Sequence, residues 1–307
     1  MRTYLLFLVI LFSTAEIKAQ NGDELLVYTV KGEVTAIYKQ KETAVKTGMV
    51  LKPGMVIKTG KEASLTMICM KGRVFQLQTE GSFPLSRWRD SCTVSSTSVT
   101  SNYFKYIWQQ MYVYSPEHKE EMRRRNNMAV SRGEGPVKTG QTKFTKLEFK
   151  KELDTLQYDG DSFPLSWTGN GYRGWYYFTL YDEKGKVILF RDSSRLSFID
   201  IKKFAGLLEP GKSYRWNVKA ASVPVSKKRV LNYLLPEQKQ QTMDGLKAPF
   251  AFEEDAASSS FRMAYILESK HYLAEAYKWY QEAASQDPET PLYRDQLTRF
   301  RNDYWIR

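Results

Sequence analysis

The chain has few of the side chains that bind metals or act as nucleophiles. Its 307 residues include only two cysteines and two histidines. His118 and His271 are far apart in sequence, as are Cys69 and Cys92. Protein metal sites are usually built from closely spaced pairs of such residues. The composition therefore predicts neither a metal site nor a bound cofactor.

The common catalytic motifs are also absent. The sequence contains no G-x-S-x-G, no H-E-x-x-H and no phosphate-binding loop. A cysteine–histidine nucleophile would need Cys69 or Cys92 beside a histidine from a different predicted domain. Asp159 and Asp161 are a close acidic pair, but Asp-Gly-Asp is typical of a turn, and a calcium loop, the other alternative, would need more oxygen ligands than the sequence identifies. We therefore expect no catalytic residues and no enzymatic activity.

Long apolar runs are missing as well. The longest, residues 5–12, is too short for a bilayer core, which needs about 20 residues. Arg2 precedes this run, and Ala19 fits the small residue before a cleavage site. Residues 1–19 are therefore predicted to be a secretory signal peptide. We expect an exported protein with no membrane span in the periplasm, while secretion or association with the outer membrane stays open.

The charge is strongly basic, with a formal net charge of +12. Such a balance can suit nucleic acid, an acidic membrane surface or anionic glycans. Because Asp and Glu are interleaved with the basic residues, we expect a solvated surface and no nucleic-acid partner. The densest basic run is Arg123, Arg124 and Arg125. These residues could contact a phosphate or glycan, or simply belong to a solvated linker.

The two cysteines leave two alternatives open. In an exported protein, Cys69 and Cys92 could form a disulfide. Cys69 lies in the apolar run SLTMICM, whereas Cys92 follows the polar run RWRDS. Since the sequence does not give their Cα separation, two unpaired thiols are the other alternative.

Residues 25–95 have the pattern of a small all-β domain. Short runs rich in Val, Ile, Thr and Tyr recur there and are separated by glycines. The predicted strands are residues 25–30, 33–38, 55–59, 64–70 and 73–78. Both faces of the 64–70 strand are apolar, which predicts a strand covered on two sides. Lys71 and Gly72 are predicted to form a hairpin turn.

The order VKGEV, LKPGMVIKTGKEASLTMI and KGRVFQL resembles the FecR-type periplasmic β domain over about 60 residues. The matching positions are Gly32, Val34, Gly54, Ile57, Thr59, Gly60, Ser64 and Gly72. The resemblance implies a small β fold of the cell envelope that is often used for interaction, and no catalytic residue. Regulatory members carry a cytoplasmic anti-sigma segment and a transmembrane helix before this domain, where this chain has the predicted signal peptide.

Residues 96–143 are predicted to be a linker that contains one amphipathic helix. Phe104, Ile107, Trp108 and Met111 are spaced at i, i+3, i+4 and i+7, which predicts a helix over residues 103–112. We expect its apolar face to pack on a β domain.

Residues 144–223 are predicted to form a second β domain. The predicted strands are residues 146–152, 165–168, 174–181, 187–191 and 214–220. In LLEPGKSYRWNVKA, Tyr214 is placed to bond backbone just upstream, as in a tyrosine corner. This segment resembles a fibronectin type III or immunoglobulin-like sandwich, which implies a fold without naming a function.

An aromatic cluster lies in one strand of this second domain. Strand alternation puts Tyr176 and Phe178 on one face and Trp175 and Tyr177 on the other. The outward pair could bind a glycan by stacking, or pack against another part of the chain.

The C-terminal part is predicted to be helical. Residues 224–256 form a connecting segment whose first part, residues 226–235, has a helix-like pattern. In residues 257–307 a tetratricopeptide-like pattern is carried by Ala264, Leu267, Ala276, Tyr280, Ala283 and Pro288. Thr290 as N-cap and Pro291 as first helical residue predict a closing helix to residue 304. This tail could be a binding surface or a structural cap.

These segments together predict a multi-domain, mainly β protein: a FecR-like β domain, an immunoglobulin-like sandwich, and a helical hairpin with a closing helix. The predicted function is a non-catalytic envelope protein that acts as an interaction scaffold or accessory subunit, with a protein partner in the envelope. A FecR-like signalling or sensing component and a glycan-binding module are the alternatives.

Overall fold

The computed structural model describes residues 24–93, 99–114, 146–169, 172–221, 223–247 and 254–306. The predicted signal peptide at residues 1–19 and the basic run Arg123, Arg124 and Arg125 lie outside these ranges. The described chain forms several β-sheets followed by a C-terminal helical region. Within it, no helix combines the length and the apolar character needed to cross a membrane.

The first β domain consists of two four-stranded sheets. Its strands are β1 (Leu25–Lys31), β2 (Val34–Tyr38), β3 (Lys41–Ala44), β4 (Val50–Leu51), β5 (Val56–Thr59), β6 (Ser64–Cys69), β7 (Val74–Leu77) and β8 (Gly81–Pro84). One sheet has the order β4-β1-β6-β7 and the other β3-β2-β5-β8, with antiparallel neighbours. The five predicted strands are confirmed. β3, β4 and β8 were not predicted, because they are exposed, very short, or bounded by Gly and Pro.

Strand β6 is buried on both faces, as its sequence predicts. Leu65, Met67 and Cys69 belong to the core between the two sheets. Thr66 and Ile68 point to the opposite face and are also buried. The outer face of this sheet is therefore covered by another part of the chain.

Two of the described helices follow the first β domain, and the others form the C-terminal region. They are α1 (Ser86–Arg89), α2 (Val99–Tyr114), α3 (Pro236–Lys247), α4 (Ala256–Ser269), α5 (Leu273–Gln286) and α6 (Pro291–Tyr304). Short 3-10 helices span Asp90–Thr93, Lys151–Asp154, Ile201–Lys203 and Ala205–Leu207.

Helix α2 covers the outer face of the first sheet. It contains the predicted helix, and its predicted apolar face is buried. The Phe104 ring lies 5.3 Å from the ring of Tyr28 on β1. On its other side, Tyr106 stacks on Tyr265 of α4 at 4.7 Å and donates a hydrogen bond to Gln296 of α6. Helix α2 thus lies between the first β domain and the C-terminal helices.

A buried polar cluster reinforces this junction. The Tyr28 hydroxyl donates to Glu254 Oε1 at 2.8 Å, and Arg262 Nε donates to Glu254 Oε2 at 2.8 Å. The Tyr103 hydroxyl of α2 lies 3.0 Å from the Tyr28 hydroxyl. Burial raises the pKa of Glu254 above its ordinary value. The cluster joins β1, α2 and α4 by directional bonds in a dry environment.

The second β domain contains a five-stranded and a two-stranded sheet. Its strands are β9 (Thr155–Tyr158), β10 (Pro164–Ser166), β11 (Tyr176–Tyr181), β12 (Ile188–Ser194), β13 (Phe198–Asp200), β14 (Ser213–Ala220) and β15 (Arg229–Tyr233). The large sheet has the order β12-β11-β14-β15-β9, in which β15 and β9 are parallel and the other neighbours antiparallel. The small sheet pairs β10 with β13.

Two expectations for this region are wrong. Residues 146–152 form no strand beyond an isolated bridge between Glu148 and Thr168, and a 3-10 helix precedes β9. Residues 226–235 are not helix-like, because β15 pairs there with β14 and β9. Sheet pairing has overridden the local pattern. The sheet therefore continues past residue 223 into the segment predicted to be a connection.

The tyrosine corner is present. The backbone N–H of Glu209 donates to the Tyr214 hydroxyl oxygen at 2.8 Å, just before β14 begins. Tyr214 itself is buried. Two residues on, Trp216 is fully buried and its ring lies 5.9 Å from that of Phe178 on β11. The predicted bond thus fixes the start of the strand that carries the central core tryptophan.

The C-terminal helices pack on the rest of the chain. Of the residues that carry the repeat-like pattern, Pro288 is exposed. The others are completely buried: Ala264, Leu267, Ala276, Tyr280 and Ala283. Helix α4 is buried on most of its surface. This burial is typical of a helix inside a core rather than at a surface.

The closing helix α6 packs on the second β domain. The Phe163 ring lies 5.5 Å from Tyr304 and 6.3 Å from Phe300 of α6. Pro291 begins this helix, and Thr290 occupies the N-cap position as predicted. The Thr290 hydroxyl, however, donates to Asp287 instead of accepting a helix N–H.

Replacing Gly72 by alanine should destabilise the protein by about 3 kcal/mol or more. Gly72 has a φ of 79°, and an added Cβ would lie 2.2 Å from the Ser101 carbonyl oxygen of α2. The substitution therefore strains the turn and pushes α2 away from the first sheet. Urea unfolding measures the change.

Gly48→Ala is the matched control. Gly48 has a similar φ of 82°, but an added Cβ would find its nearest neighbour, Met111 Cε, at 3.6 Å. We expect a loss of about 1–2 kcal/mol from backbone strain alone. Equal losses for the two variants would contradict close packing of α2 on the Gly72 turn.

Tyr214→Phe should destabilise the protein by about 1 kcal/mol, because the hydrogen bond from Glu209 is lost with little change in packing. The control is Tyr177→Phe, whose ring is 46% exposed, with an expected change below about 0.5 kcal/mol. Chemical denaturation compares the two. No difference between them would show that the corner bond contributes nothing to stability.

Candidate binding face of the five-stranded sheet

The outward face of β11 presents aromatic side chains to solvent. Tyr176 and Phe178 are buried in the core, whereas Trp175 and Tyr177 are 45% and 46% exposed. The predicted alternation is therefore confirmed. It follows from the pleat of a strand, in which successive side chains point to opposite faces.

Strand register places cations beside these rings. Tyr177 pairs with Ser193 of β12 and Lys219 of β14. Thr179, two residues on, pairs with Arg191 and Asn217. Directly opposed residues lie on the same side of a sheet, so these side chains share the outward face.

The side chains line a shallow groove of about 550 Å³. Its lining includes Tyr177, Thr179, Tyr181, Arg191, Asn217 and Lys219. Asn217 is buried within this lining. The groove therefore offers aromatic rings, a hydroxyl, an amide and two cationic groups. Trp175 lies outside it, with the Arg195 guanidinium 5.3 Å from its ring.

The groove is positively charged. Arg191 and Lys219 are exposed and form no ion pair with any carboxylate in the described part of the chain. Asp192, the acidic residue of the lining, is neutralised by Lys203, whose Nζ lies 2.6 Å from Asp192 Oδ2. Uncompensated guanidinium and ammonium groups attract carboxylates and phosphates. The face is therefore suited to an anionic ligand.

Outside the groove, two lysine side chains form ion pairs with a cluster of three acidic residues. Carboxylate oxygens of Asp159, Asp161 and Glu275 lie within 4.8 Å of one another. Lys239 Nζ lies 2.8 Å from Asp159 and 2.6 Å from Glu275, and Lys278 contacts Asp161 and Glu275. Two ammonium groups thus occupy the space that a metal ion would need. This lysine–carboxylate network joins the turn after β9 to α3 and α5.

The lysines lower the pKa of two carboxyl groups in this network. A hydrogen bond from Lys278 lowers the pKa of Asp161. Burial alone would raise the pKa of Glu275, but hydrogen bonds from Lys239 and Lys278 outweigh it and lower the pKa. The network is therefore most stable with its carboxylates ionised.

The two cysteines lie together in the first β domain. Cys69 and Cys92 are both buried in the core between its sheets. They carry thiols rather than a disulfide bond, and Cys92 is close enough to Cys69 to lower the pKa of its thiol. The structure thus brings these predicted residues into contact.

Comparison with known proteins adds no relationship. No protein-family model matches the chain, and no curated protein matches it either. The resemblances to FecR-type, fibronectin type III and tetratricopeptide units therefore stay predictions that rest on the residues of this chain.

The sequence did not reveal the cationic half of the binding face. Arg191, Asn217 and Lys219 come from strands on either side of β11, and only register places them beside Tyr177. The same holds for Glu275, which is 114–116 residues after Asp161 and Asp159 (275 − 161 and 275 − 159). A strand pattern predicts which side chains share a face, but not which strands are neighbours.

Lys278→Met should reduce stability most at neutral pH. Asp161 has a lowered folded-state pKa, so it contributes stability that is present above its ordinary pKa of 3.8 and lost as the pH falls through the folded value. Because Lys278 is half exposed, we expect a loss of about 0.5–1 kcal/mol at pH 7 that becomes smaller as the pH falls below 3.8. Urea unfolding at pH 7, 5 and 3 measures it.

Lys46→Met is the control, since Lys46 is exposed in the first β domain and has no ion pair within the described residues. Its effect should stay near zero at each pH. A Lys278→Met loss that is constant from pH 7 to pH 3 would contradict a contribution from the carboxylates.

Proposed function

We propose that this protein is a non-catalytic, exported scaffold of the bacterial cell envelope that binds a protein partner. The observation that carries the proposal is the continuous core that joins its parts. Leu26 and Ile68 of the first β domain belong to one apolar cluster. The same cluster includes residues of α2, of the second β domain and of the C-terminal helices. A core shared in this way holds the parts in fixed relative positions, as a scaffold requires.

We infer a specific identity for each part. Turns at Gly32, Gly54 and Gly72 between short strands support a FecR-like first domain. The five- and two-stranded sheets, with a parallel β15–β9 pair and the Tyr214 corner, support an immunoglobulin-like sandwich. The completely buried small residues of α4 and α5 support a tetratricopeptide-like hairpin.

The C-terminal helices act as a structural cap in this proposal. Helix α4 contacts α2 and carries Arg262 of the buried polar cluster, and α6 packs on Phe163. A single hairpin with a closing helix cannot bury its apolar faces alone, since repeat units depend on neighbours. Here the rest of the chain supplies that neighbour. The partner then binds elsewhere, and the face around Tyr177 is the candidate.

The groove on this face fits a partner with an acidic surface. Arg191 and Lys219 supply positive charge that no carboxylate among the described residues pairs with, and Tyr177 supplies a half-exposed ring. Tyrosine and arginine contribute strongly to protein interfaces, and complementary charge accelerates association. A protein that offers carboxylates opposite this groove would satisfy both features.

A second candidate function is binding of an acidic glycan. It is favoured by the row of Tyr177 and Lys219 beside the row of Thr179, Arg191 and Asn217. A sugar ring can stack on the tyrosine while its hydroxyls and a carboxylate bond the amide and the cations. This ligand would use the same groove.

The face is tested by reversing its charge. The double variant Arg191→Glu, Lys219→Glu should lower recovery of the partner from an envelope fraction by at least about tenfold, since the cations opposite the partner's carboxylates become anions. Quantitative mass spectrometry after cross-linking measures recovery. Lys46→Glu, Lys61→Glu is the control, because it makes the same charge change at exposed positions of the first β domain.

Equal recovery by both double variants would show that the groove is not the binding site. If the envelope yields no protein, calorimetry with acidic oligosaccharides tests the second candidate, and the heat should disappear in Tyr177→Ala. Export is tested separately by fractionation. A chain that stays in the cytoplasm with residues 1–19 attached would contradict the envelope location.

A further inference from the structure

The cysteine contact is built by the backbone around it. The Cys69 N–H donates to the Arg73 carbonyl at 3.0 Å, which closes the hairpin after β6. Arg73 Nη1 in turn donates to the Ser91 carbonyl at 2.7 Å, one residue before Cys92. These two bonds hold the 3-10 helix Asp90–Thr93 against the hairpin. The thiols are therefore neighbours because these two chain segments are held together.

The environment of Cys69 favours reaction as a thiolate. The hydrogen bond from Cys92 lowers the pKa of Cys69, and backbone bonds at Arg73 and Lys71 act in the same direction against the effect of burial. Thiolates are the reactive form in disulfide exchange. Two buried thiols on segments that Arg73 joins, with the pKa of one of them lowered, form a pair arranged for oxidation.

We propose that Cys69 and Cys92 form an intramolecular disulfide when the protein meets an oxidising disulfide, either a small-molecule disulfide or that of a thiol–disulfide oxidoreductase. The proposal depends on export only for where that oxidant is met, and it does not depend on the binding face. Extracellular and periplasmic compartments are where such bonds persist.

The chemistry balances without another reactant. The Cys69 thiolate attacks one sulfur of the oxidant's disulfide and releases the other sulfur as a thiolate. The Cys92 thiolate then attacks Cys69 Sγ in the mixed disulfide and releases the second oxidant sulfur. Two electrons pass to the oxidant, whose sulfurs take up the two protons that the cysteines lose. Since both thiols are buried, exchange takes place during folding or when the 3-10 helix opens.

The Cys69–Cys92 disulfide would restrain the chain segment between β6 and α2. It closes the loop that contains β7, β8 and α1, and it fixes the 3-10 helix that ends at Thr93. Helix α2, which begins at Val99, is the element that lies between the first β domain and the C-terminal helices. Oxidation therefore secures the chain just before the junction between these parts.

The test is redox titration of the purified full chain in glutathione buffers, folded and in urea. Free thiols are counted by maleimide labelling after denaturation, and the linked peptide is identified by mass spectrometry. We expect a monomer with a Cys69–Cys92 link. The folded chain should be half oxidised in a glutathione buffer roughly a hundredfold more reducing than the buffer in which the unfolded chain is half oxidised. The oxidised chain should melt roughly 5 °C higher.

Cys92→Ser is the control, because it cannot form the link and its melting temperature should not respond to the glutathione ratio. If this variant does not fold, the comparison of folded and unfolded wild-type chain decides alone. The proposal is overturned if two free thiols are still counted in chain that was kept folded under oxidising conditions. It is also overturned if the folded and unfolded chains oxidise at the same ratio, or if oxidation gives linked dimers.

Discussion

The arrangement of the whole chain depends on α2 being covered on both sides. Phe104 packs on Tyr28 of the first sheet, while the opposite side of the helix stacks on Tyr265. A helix with apolar residues on both sides is stable only where both are removed from water. The neighbouring Glu254–Arg262 pair is buried too, and a buried ion pair tolerates little displacement of its partners. Apolar burial thus supplies the driving force, and displacing either member of the charged pair would leave a buried charge without its partner.

Much of the fold could be predicted from local pattern, and the failures share a physical cause. The start of α6 is set by Pro291, and the two-sided burial of β6 by its continuous apolar run. In contrast, β15 has no clear alternation in SKKRVLNYLL and becomes a strand because β14 and β9 leave a position between them. Residues 146–152 were predicted to be a strand and are not one, since the described residues give them no pairing beyond one bridge. Local pattern identifies strands with their own apolar period, and tertiary pairing decides the others.

The sequence predicts the aromatic part of the candidate site but not its cationic part. Alternation along one strand identified Trp175 and Tyr177 as outward, and the exposure of both agrees. Of the two, only Tyr177 belongs to the groove. The cations Arg191 and Lys219 reach it through the pairing of three strands, which a single sequence does not encode locally. The basic run at Arg123, Arg124 and Arg125, conspicuous in sequence, lies outside the described residues.

The parallel pairing of β9 with β15 has a consequence for the order in which the molecule can form. Thr155 of β9 pairs with Val230 of β15. Strand β9 therefore cannot join the large sheet until β15, which is synthesised much later, is available. The junction of the first domain with the C-terminal helices forms later still, because Glu254, which accepts a hydrogen bond from Tyr28, is 226 positions further along the chain. Contacts this distant in sequence slow folding. A ribosome or translocation channel would therefore release most of the chain before its native structure could be completed.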